Sequence, residues 1–252
     1  MSGERTALLR AVGLSKAFGG LRAVIDVSFD VARGEIVGLL GPNGSGKTTV
    51  LNLVAGALRP DAGRVFLDRS DITRLPASAR TRLGVARTFQ LVRPLPSLTA
   101  LDNVVVARLY ARDRPSLARA RAESARLLDL VGLAGREAAP AGALTLTDRK
   151  RVEIARALAA QPQVVLLDEP LGGLNPTETA AMLALFRRLR GQGATLLLVE
   201  HNVGAVRALC DRVIILNSGR RIAEGPPAEA LTRPEVVAIY LGARSGAAEL
   251  PA

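Results

Sequence analysis

Two short stretches of the chain gather the residue types that handle phosphate. Gly41, Pro42, Asn43, Gly44, Ser45, Gly46, Lys47 and Thr48 spell G-x-x-x-x-G-K-[ST] in full. The glycines let backbone N–H groups turn inward toward phosphate oxygens, which a side chain would hold off. Lys47 suits the terminal phosphates, and the Thr48 hydroxyl, with Thr49 beside it, suits a bound Mg2+. The second stretch is Val164 to Leu167, four apolar residues that end on Asp168 and Glu169. Asp168 suits Mg2+ through a water, and Glu169 suits a general base for an attacking water. Each stretch has a plain alternative: a chance glycine turn for the first, and carboxylates capping the next helix for the second.

Both stretches need a strand before them. Glu35 to Leu40 is an apolar run of strand length that leads straight into the glycines, and a helix pattern follows from Lys47 to about Leu58. Residues 6–31 read as short strands broken by a Gly19-Gly20 turn, and Pro60 to Gly63 as another turn. From 93 to 160 the chain becomes rich in Ala, Arg and Leu at near-helical spacing, a helical insert. Val164–Leu167, Thr195–Val199 and Val213–Leu216 return as continuously apolar strands, as in a sheet covered on both faces. Ser218-Gly219 reads as a hairpin turn into Arg221–Ala223. Short helices are expected over Pro226–Leu231 and Pro234–Leu241, and the last ten residues are expected to fray. The expected fold is α/β: a mainly parallel core sheet, an N-terminal antiparallel β part, and a helical part. As one domain, its core covers about 5–92 and 160–242, and its helical part about 93–159.

Composition narrows the classes. With 252 residues, 48% of them hydrophobic, the chain can bury a sizeable core. A single cysteine, Cys210, and a single histidine, His201, exclude a disulfide framework and multi-histidine or cysteine metal clusters. There is no apolar run of about 18 residues and no apolar signal core at the N-terminus, so a soluble, cytoplasmic location is expected. The net charge of +11 is almost all arginine, since Lys16, Lys47 and Lys150 are the only lysines. Such a balance invites nucleic acid or an anionic membrane. Yet the arginines are spread among Ala and Leu, and only 3% of residues are aromatic, with no Trp to stack bases.

The motifs resemble those of ATP-binding-cassette (ABC) ATPases, in that family's order along essentially the whole chain. Besides the two phosphate motifs, Gln90 in Thr88-Phe89-Gln90 sits at the family's Q-loop, Gly173-Leu174-Asn175-Pro176 at its D-loop, and His201 at its switch histidine. Phe18-Gly19-Gly20-Leu21-Arg22-Ala23-Val24, Arg87-Thr88-Phe89-Gln90, Val152 to Leu158 and the tail Gly225 to Gly242 are similar to the ATPases of branched-chain amino acid importers, of the type with the longer helical insert. The resemblance implies ATP and Mg2+ as ligands, with Phe18 stacking on adenine, Gln90 approaching Mg2+ and the attacking water, and His201 on the γ-phosphate. A core Phe18, a buried structural Gln90 and a structural His201 are the alternatives. It also implies a second ATPase subunit, two transmembrane permease subunits, a solute-binding protein acting indirectly, and a peripheral place on the cytoplasmic face of the inner membrane. No nucleic acid is expected.

One motif departs from the family. Where its signature reads Leu-Ser-Gly-Gly-Gln, this chain has Leu144-Thr145-Leu146-Thr147-Asp148. Thr145 keeps the hydroxyl that would contact ATP across a dimer. Thr147 adds a branched side chain where backbone should approach phosphate, and Asp148 adds a charge of the same sign. Either the signature is weakened, or Thr147 or Asp148 simply caps the helix. A weak signature favours a heterodimer in which this chain supplies the catalytic phosphate face. The competing classes are a cassette ATPase acting on nucleic acid or the ribosome, which would need room for a second cassette or arm, and a non-hydrolysing regulatory subunit, which Glu169 and His201 oppose.

Overall fold

A computed structural model describes residues 6–88 and 94–245. Its centre is a six-stranded sheet in the order β10-β9-β3-β8-β7-β6, formed by β3 (Ile36–Leu40), β6 (Val85–Arg87), β7 (Val164–Asp168), β8 (Thr195–Val199), β9 (Arg212–Asn217) and β10 (Arg220–Gly225). Every neighbouring pair is parallel except the β9–β10 hairpin. The continuous apolar strands are buried on both faces. Ile36 and Leu40 enter one core with Val165, Leu167, Leu196 and Leu198, while Val37 and Leu39 enter a second with Val164, Leu166, Leu197 and Val199. Alternation at period two thus survives inside runs that are wholly apolar in sequence.

A four-stranded antiparallel sheet closes the second core: β1 (Ala7–Phe18), β2 (Leu21–Ala32), β4 (Ala62–Leu67) and β5 (Ser70–Asp71), in the order β2-β1-β4-β5. Helix α1 (Lys47–Ala55) lies between the two sheets and buries Val50, Leu51, Leu53 and Val54 in that core. Helix α2 (Ala77–Leu83) follows, and its Arg80 reaches back to α1. The opposite face of the central sheet carries the other helices. These are α3 (Ala100–Leu109), α4 (Leu117–Leu130), α5 (Leu146–Ala159), α6 (Pro176–Gly191), α7 (Val203–Leu209) and the short α8 (Pro227–Ala230), with α9 (Pro234–Ser245) closing the described chain. Helices α3, α4 and α5 begin on hydroxyl caps, Thr99, Ser116 and Thr145, each accepting from a backbone N–H in the first turn.

Several boundaries move from the sequence expectation. Helix α1 ends at Ala55, not Leu58, because Gly56 takes a left-handed conformation and turns its N–H back onto Asn52 and Leu53. The first strand of the central sheet starts at Ile36, and Glu35 instead turns its carboxylate onto Ala32 N–H and Arg212. Pro60–Gly63 is not all turn, since β4 begins at Ala62. The last helix extends past Leu241 to Ser245. The expected fraying end lies mostly outside the described residues.

Candidate nucleotide site

The carboxyl ends of β3, β7 and β8 lie side by side, because these strands are parallel neighbours in the sheet. That edge is where open α/β sheets place ligands. It brings together the glycine loop after β3, Asp168 and Glu169 at the end of β7, and Glu200 and His201 after β8.

The glycine loop is fixed by close approach. Gly41 has φ +148°, and a Cβ there would lie 2.2 Å from the Leu216 carbonyl oxygen. At Gly46, φ +100°, a Cβ would meet the Ala23 carbonyl oxygen at 2.5 Å. The β9–β10 turn supplies the brace: Gly219 N–H donates to Ser45 O at 3.1 Å, and Ile25 N–H donates to Gly219 O at 2.8 Å. Helix α1 starts with neither a side-chain cap nor an acidic residue in its first turn. Its N-terminal N–H groups and positive dipole end are therefore set for an anion.

Around this helix start lies a cleft of about 750 Å3. Phe18, Leu21, Arg22 and Ala23 form one wall, and Asn43, Gly44, Gly46, Lys47, Thr48, Thr49, Glu169 and Ser218 form the rest. Phe18 is half exposed at the end of β1, with Lys16 Nζ 5.8 Å from its ring centre, so it is not a core residue. Pro42 flanks the loop, and its carbonyl, like that of Gly41, accepts from Lys47 Nζ at 2.9 Å. Burial lowers the Lys47 ammonium pKa, while Glu169 and Asp168 act to raise it. Thr48 is exposed to the cleft, and Ser45 is buried with its Oγ making no hydrogen bond.

Asp168 is almost fully buried. Burial raises its pKa, against the opposing pull of Arg87 and Lys47. Its Oδ2 accepts from Arg87 Nη2 at 2.9 Å, and its Oδ1 is buried with no hydrogen-bond partner among the described residues. A buried carboxylate oxygen of this kind is costly unless a cation meets it. Together with the Thr48 hydroxyl in the adjoining cleft, it fits a divalent cation shared with substrate phosphates. Glu169 follows with φ +47°, a strained conformation for a side chain of its size, and it lines the cleft.

Two residues at this edge were passed over in the sequence. Glu200, completely buried, accepts from Leu171 N–H at 2.8 Å through Oε1 and from His201 N–H at 3.1 Å through Oε2. Lys150 of α5, its pKa lowered by burial, donates to the Glu169 carbonyl at 3.1 Å. The signal was a carboxylate ending an apolar strand and a lone lysine in an arginine-rich chain. His201 is exposed, with Nδ1 3.9 Å from Glu200 Oε2. Gln90 lies outside the described residues.

The unusual signature stretch is engaged within the chain. Thr145 caps α5 by accepting from Asp148 N–H at 3.1 Å, so the cap is neither Thr147 nor Asp148. Leu146 is exposed, and the buried Thr147 donates its hydroxyl to Glu178 Oε1 at 2.6 Å. The Asp148 carboxylate lies 3.3 Å from Arg136 and 4.0 Å from Arg151. Its charge is met locally.

A glycine-rich loop between a buried strand and a helix, with a carboxylate pair at the end of a second parallel strand one strand away in the same sheet, defines a P-loop nucleoside triphosphatase. Residues 24–172 match the ABC transporter family. A branched-chain amino acid transport ATP-binding protein, LivG of Salmonella typhimurium, is 39% identical over 93% of this chain and 98% of its own. The lipopolysaccharide export ATP-binding protein LptB of Escherichia coli K12 is 40% identical over 94% of this chain and 98% of its own. Among solved structures, an ATP-binding cassette of an ABC transporter in its ADP conformation superposes with a TM-score of 0.86 at 31% identity, over 94% of this chain and 99% of that one. A dimeric bacterial ABC transporter cassette gives 0.79 at 28% identity, over 87% and 98%. The chain belongs to the ABC transporter family and is one of its ATP-hydrolysing cassettes.

Proposed function

We propose that this chain energises a membrane importer of branched-chain amino acids, as one of two ATPase subunits seated against two permease subunits at the cytoplasmic face of the membrane. The observation that carries the reading is one cleft that holds Phe18, the glycine loop with Lys47 and Thr48, and Glu169, with Asp168 buried behind it. Likeness to LivG along nearly the whole chain supports the cargo class. Among the described residues no helix is long and apolar enough to cross a membrane, which suits a peripheral subunit.

In this reading Phe18 stacks on adenine, and Gly41 to Thr49 cradle the phosphates through backbone N–H groups. Lys47 exchanges its contacts with the loop carbonyls for phosphate oxygens. Thr48 and Asp168 would hold Mg2+, which when bound offsets phosphate charge. Glu169 takes the proton of the attacking water, a role worth about a hundredfold or more in rate. His201 and Gln90 align the γ-phosphate and that water. The core and the helical part, about 93–159, act as two bodies of one domain. Solute is met by the permeases and a separate binding protein, never by this chain. The partner cassette is a different chain, because Thr147 fills the place of a signature glycine and is tied to Glu178.

Uptake of labelled leucine by cells carrying Glu169→Gln in place of the native chain tests the whole reading. Loss of uptake is expected. Retained uptake, with the variant expressed and no second leucine carrier, moves the cargo to urea, amides, other amino acids or, as in LptB, an exported lipid. Light scattering of the Glu169→Gln chain with ATP tests the heterodimer. A tight homodimer at micromolar concentration would refute it.

A further inference from the structure

The Asp168 carboxylate is held by a nearly buried residue of the adjoining edge strand. Arg87 ends β6, the edge strand beside β7, and its side chain is 11% exposed. One guanidinium nitrogen, Nη2, donates to Asp168 Oδ2 at 2.9 Å, and Nη1 donates to Asn52 Oδ1 on α1. The same side chain therefore joins the helix that carries the glycine loop to the strand that carries the carboxylates. It leaves Asp168 Oδ1 buried without a hydrogen bond among the described residues. A carboxylate with one oxygen engaged by a fixed donor cannot rotate freely, so the other oxygen keeps one direction.

We infer that Arg87 is a positioning residue that fixes Asp168 for the divalent cation. The inference rests on the Mg2+ role given to Asp168 above and not on the cargo. Hydrogen-bonding partners of metal ligands are worth roughly ten- to a hundredfold in metal affinity. A guanidinium this near a dication also repels it, so the two roles differ in sign.

The test uses the whole chain with Glu169→Gln, so that ATP persists, and Mn2+ as the probe, followed by electron paramagnetic resonance. Arg87→Met is expected to raise the Mn2+ concentration for half-saturation about tenfold, while ATP binding in EDTA stays within twofold. Arg87→Lys, which can hold one partner at a time, is expected to fall between. It replaces the Met variant if that variant melts well below the parent. Unchanged or tighter Mn2+ binding in folded variants would overturn the inference. Since no permease and no solute enter this experiment, failed leucine uptake and failed metal positioning are separate results.

Discussion

Arg80 offers the sharpest test of how the phosphate loop is held. Its side chain is completely buried, and all its bonds run to backbone carbonyls. Nη1 donates to Leu53 O and Val54 O at 2.7 Å each, Nη2 to Thr73 O at 2.8 Å, and Nε to Leu75 O at 3.0 Å. Leu53 and Val54 are in the last turn of α1, where carbonyls lack helical partners. The helix that begins at Lys47 is thus pinned at its far end. Replacing Arg80 by Met keeps the stem and strands three carbonyls, those of Val54, Thr73 and Leu75, at about 2 kcal/mol each or about 6 kcal/mol together, while Leu53 O keeps the Gly56 N–H. Against this, burial pushes the guanidinium down from its ordinary value to about 10, a cost of about 3 kcal/mol at neutral pH that Met no longer bears. The expected net loss is about 3 kcal/mol, a fall in Tm of roughly 6 °C for a chain of this length. Circular dichroism at 222 nm is the assay, since the chain has no Trp to report by fluorescence. The sign of the pH effect follows from the lowered pKa: the cost of the charge is fully present below pH 10 and relieved only above it, so the difference between parent and variant should be flat from pH 6 to 9. A Tm within 2 °C of the parent, or above it, would refute the ledger and place Arg80 with buried charges that apolar residues replace without loss.

Three further outcomes are expected. Gly41→Ala, whose Cβ would collide with Leu216 O at 2.2 Å, should lower ATP affinity by more than tenfold in calorimetry, whereas Gly44→Ala, with φ +77° and nothing within 4 Å, should cost only about 1 kcal/mol of stability and little affinity. Cys210, buried and with its thiol pushed up to about 12, should ignore Ellman's reagent at pH 8 until the chain unfolds, so thiol release should follow the melting curve. The Thr147 hydroxyl and the Asn175 N–H hold the Glu178 carboxyl below its usual 4.5, so this link persists above that value and is lost as pH falls through the lowered one; Thr147→Val should move the Glu178 carbon-13 titration upward.

Local chemistry was legible in the sequence, and through-space chemistry was not. The glycine loop needed only its spacing and the apolar run before it, because the strand and helix on either side follow from local pattern. The Gly19-Gly20 and Ser218-Gly219 turns were equally local. Helix α1 was read three residues too long because Gly56 inside an apolar pattern does not announce which glycine turns left-handed. The residue types offered Thr147 or Asp148 as the cap of α5, but the cap is Thr145, while Thr147 is taken up by Glu178 at the start of α6, a contact that only the packing of the two helices creates. The partners of Asp168 were beyond reach for the same reason. Arg87 lies 81 positions away along the chain, and a β6–β7 pairing is needed to bring the two together.

The buried polar residues at the sheet edge explain how separate loops become one site. Glu200 cannot be a general stabiliser of the core, since a carboxylate removed from water must recover its hydration from specific donors. Its donors are the N–H groups of Leu171 and His201, so the cost of burial is met only when the loop after Glu169 and the loop carrying His201 are both in place. Lys150 adds a third strut by holding the Glu169 carbonyl from α5, whose first turn carries Thr145 to Asp148. The lysine also sits in the field of Glu200, Glu153 and Glu169, which opposes the effect of its burial. Removing either partner would leave a buried charge without its counterpart, so the two loops and the helix are ordered together or not at all. Movement of α5 relative to the central sheet is therefore felt first at the backbone of Glu169, which lines the cleft in a strained conformation.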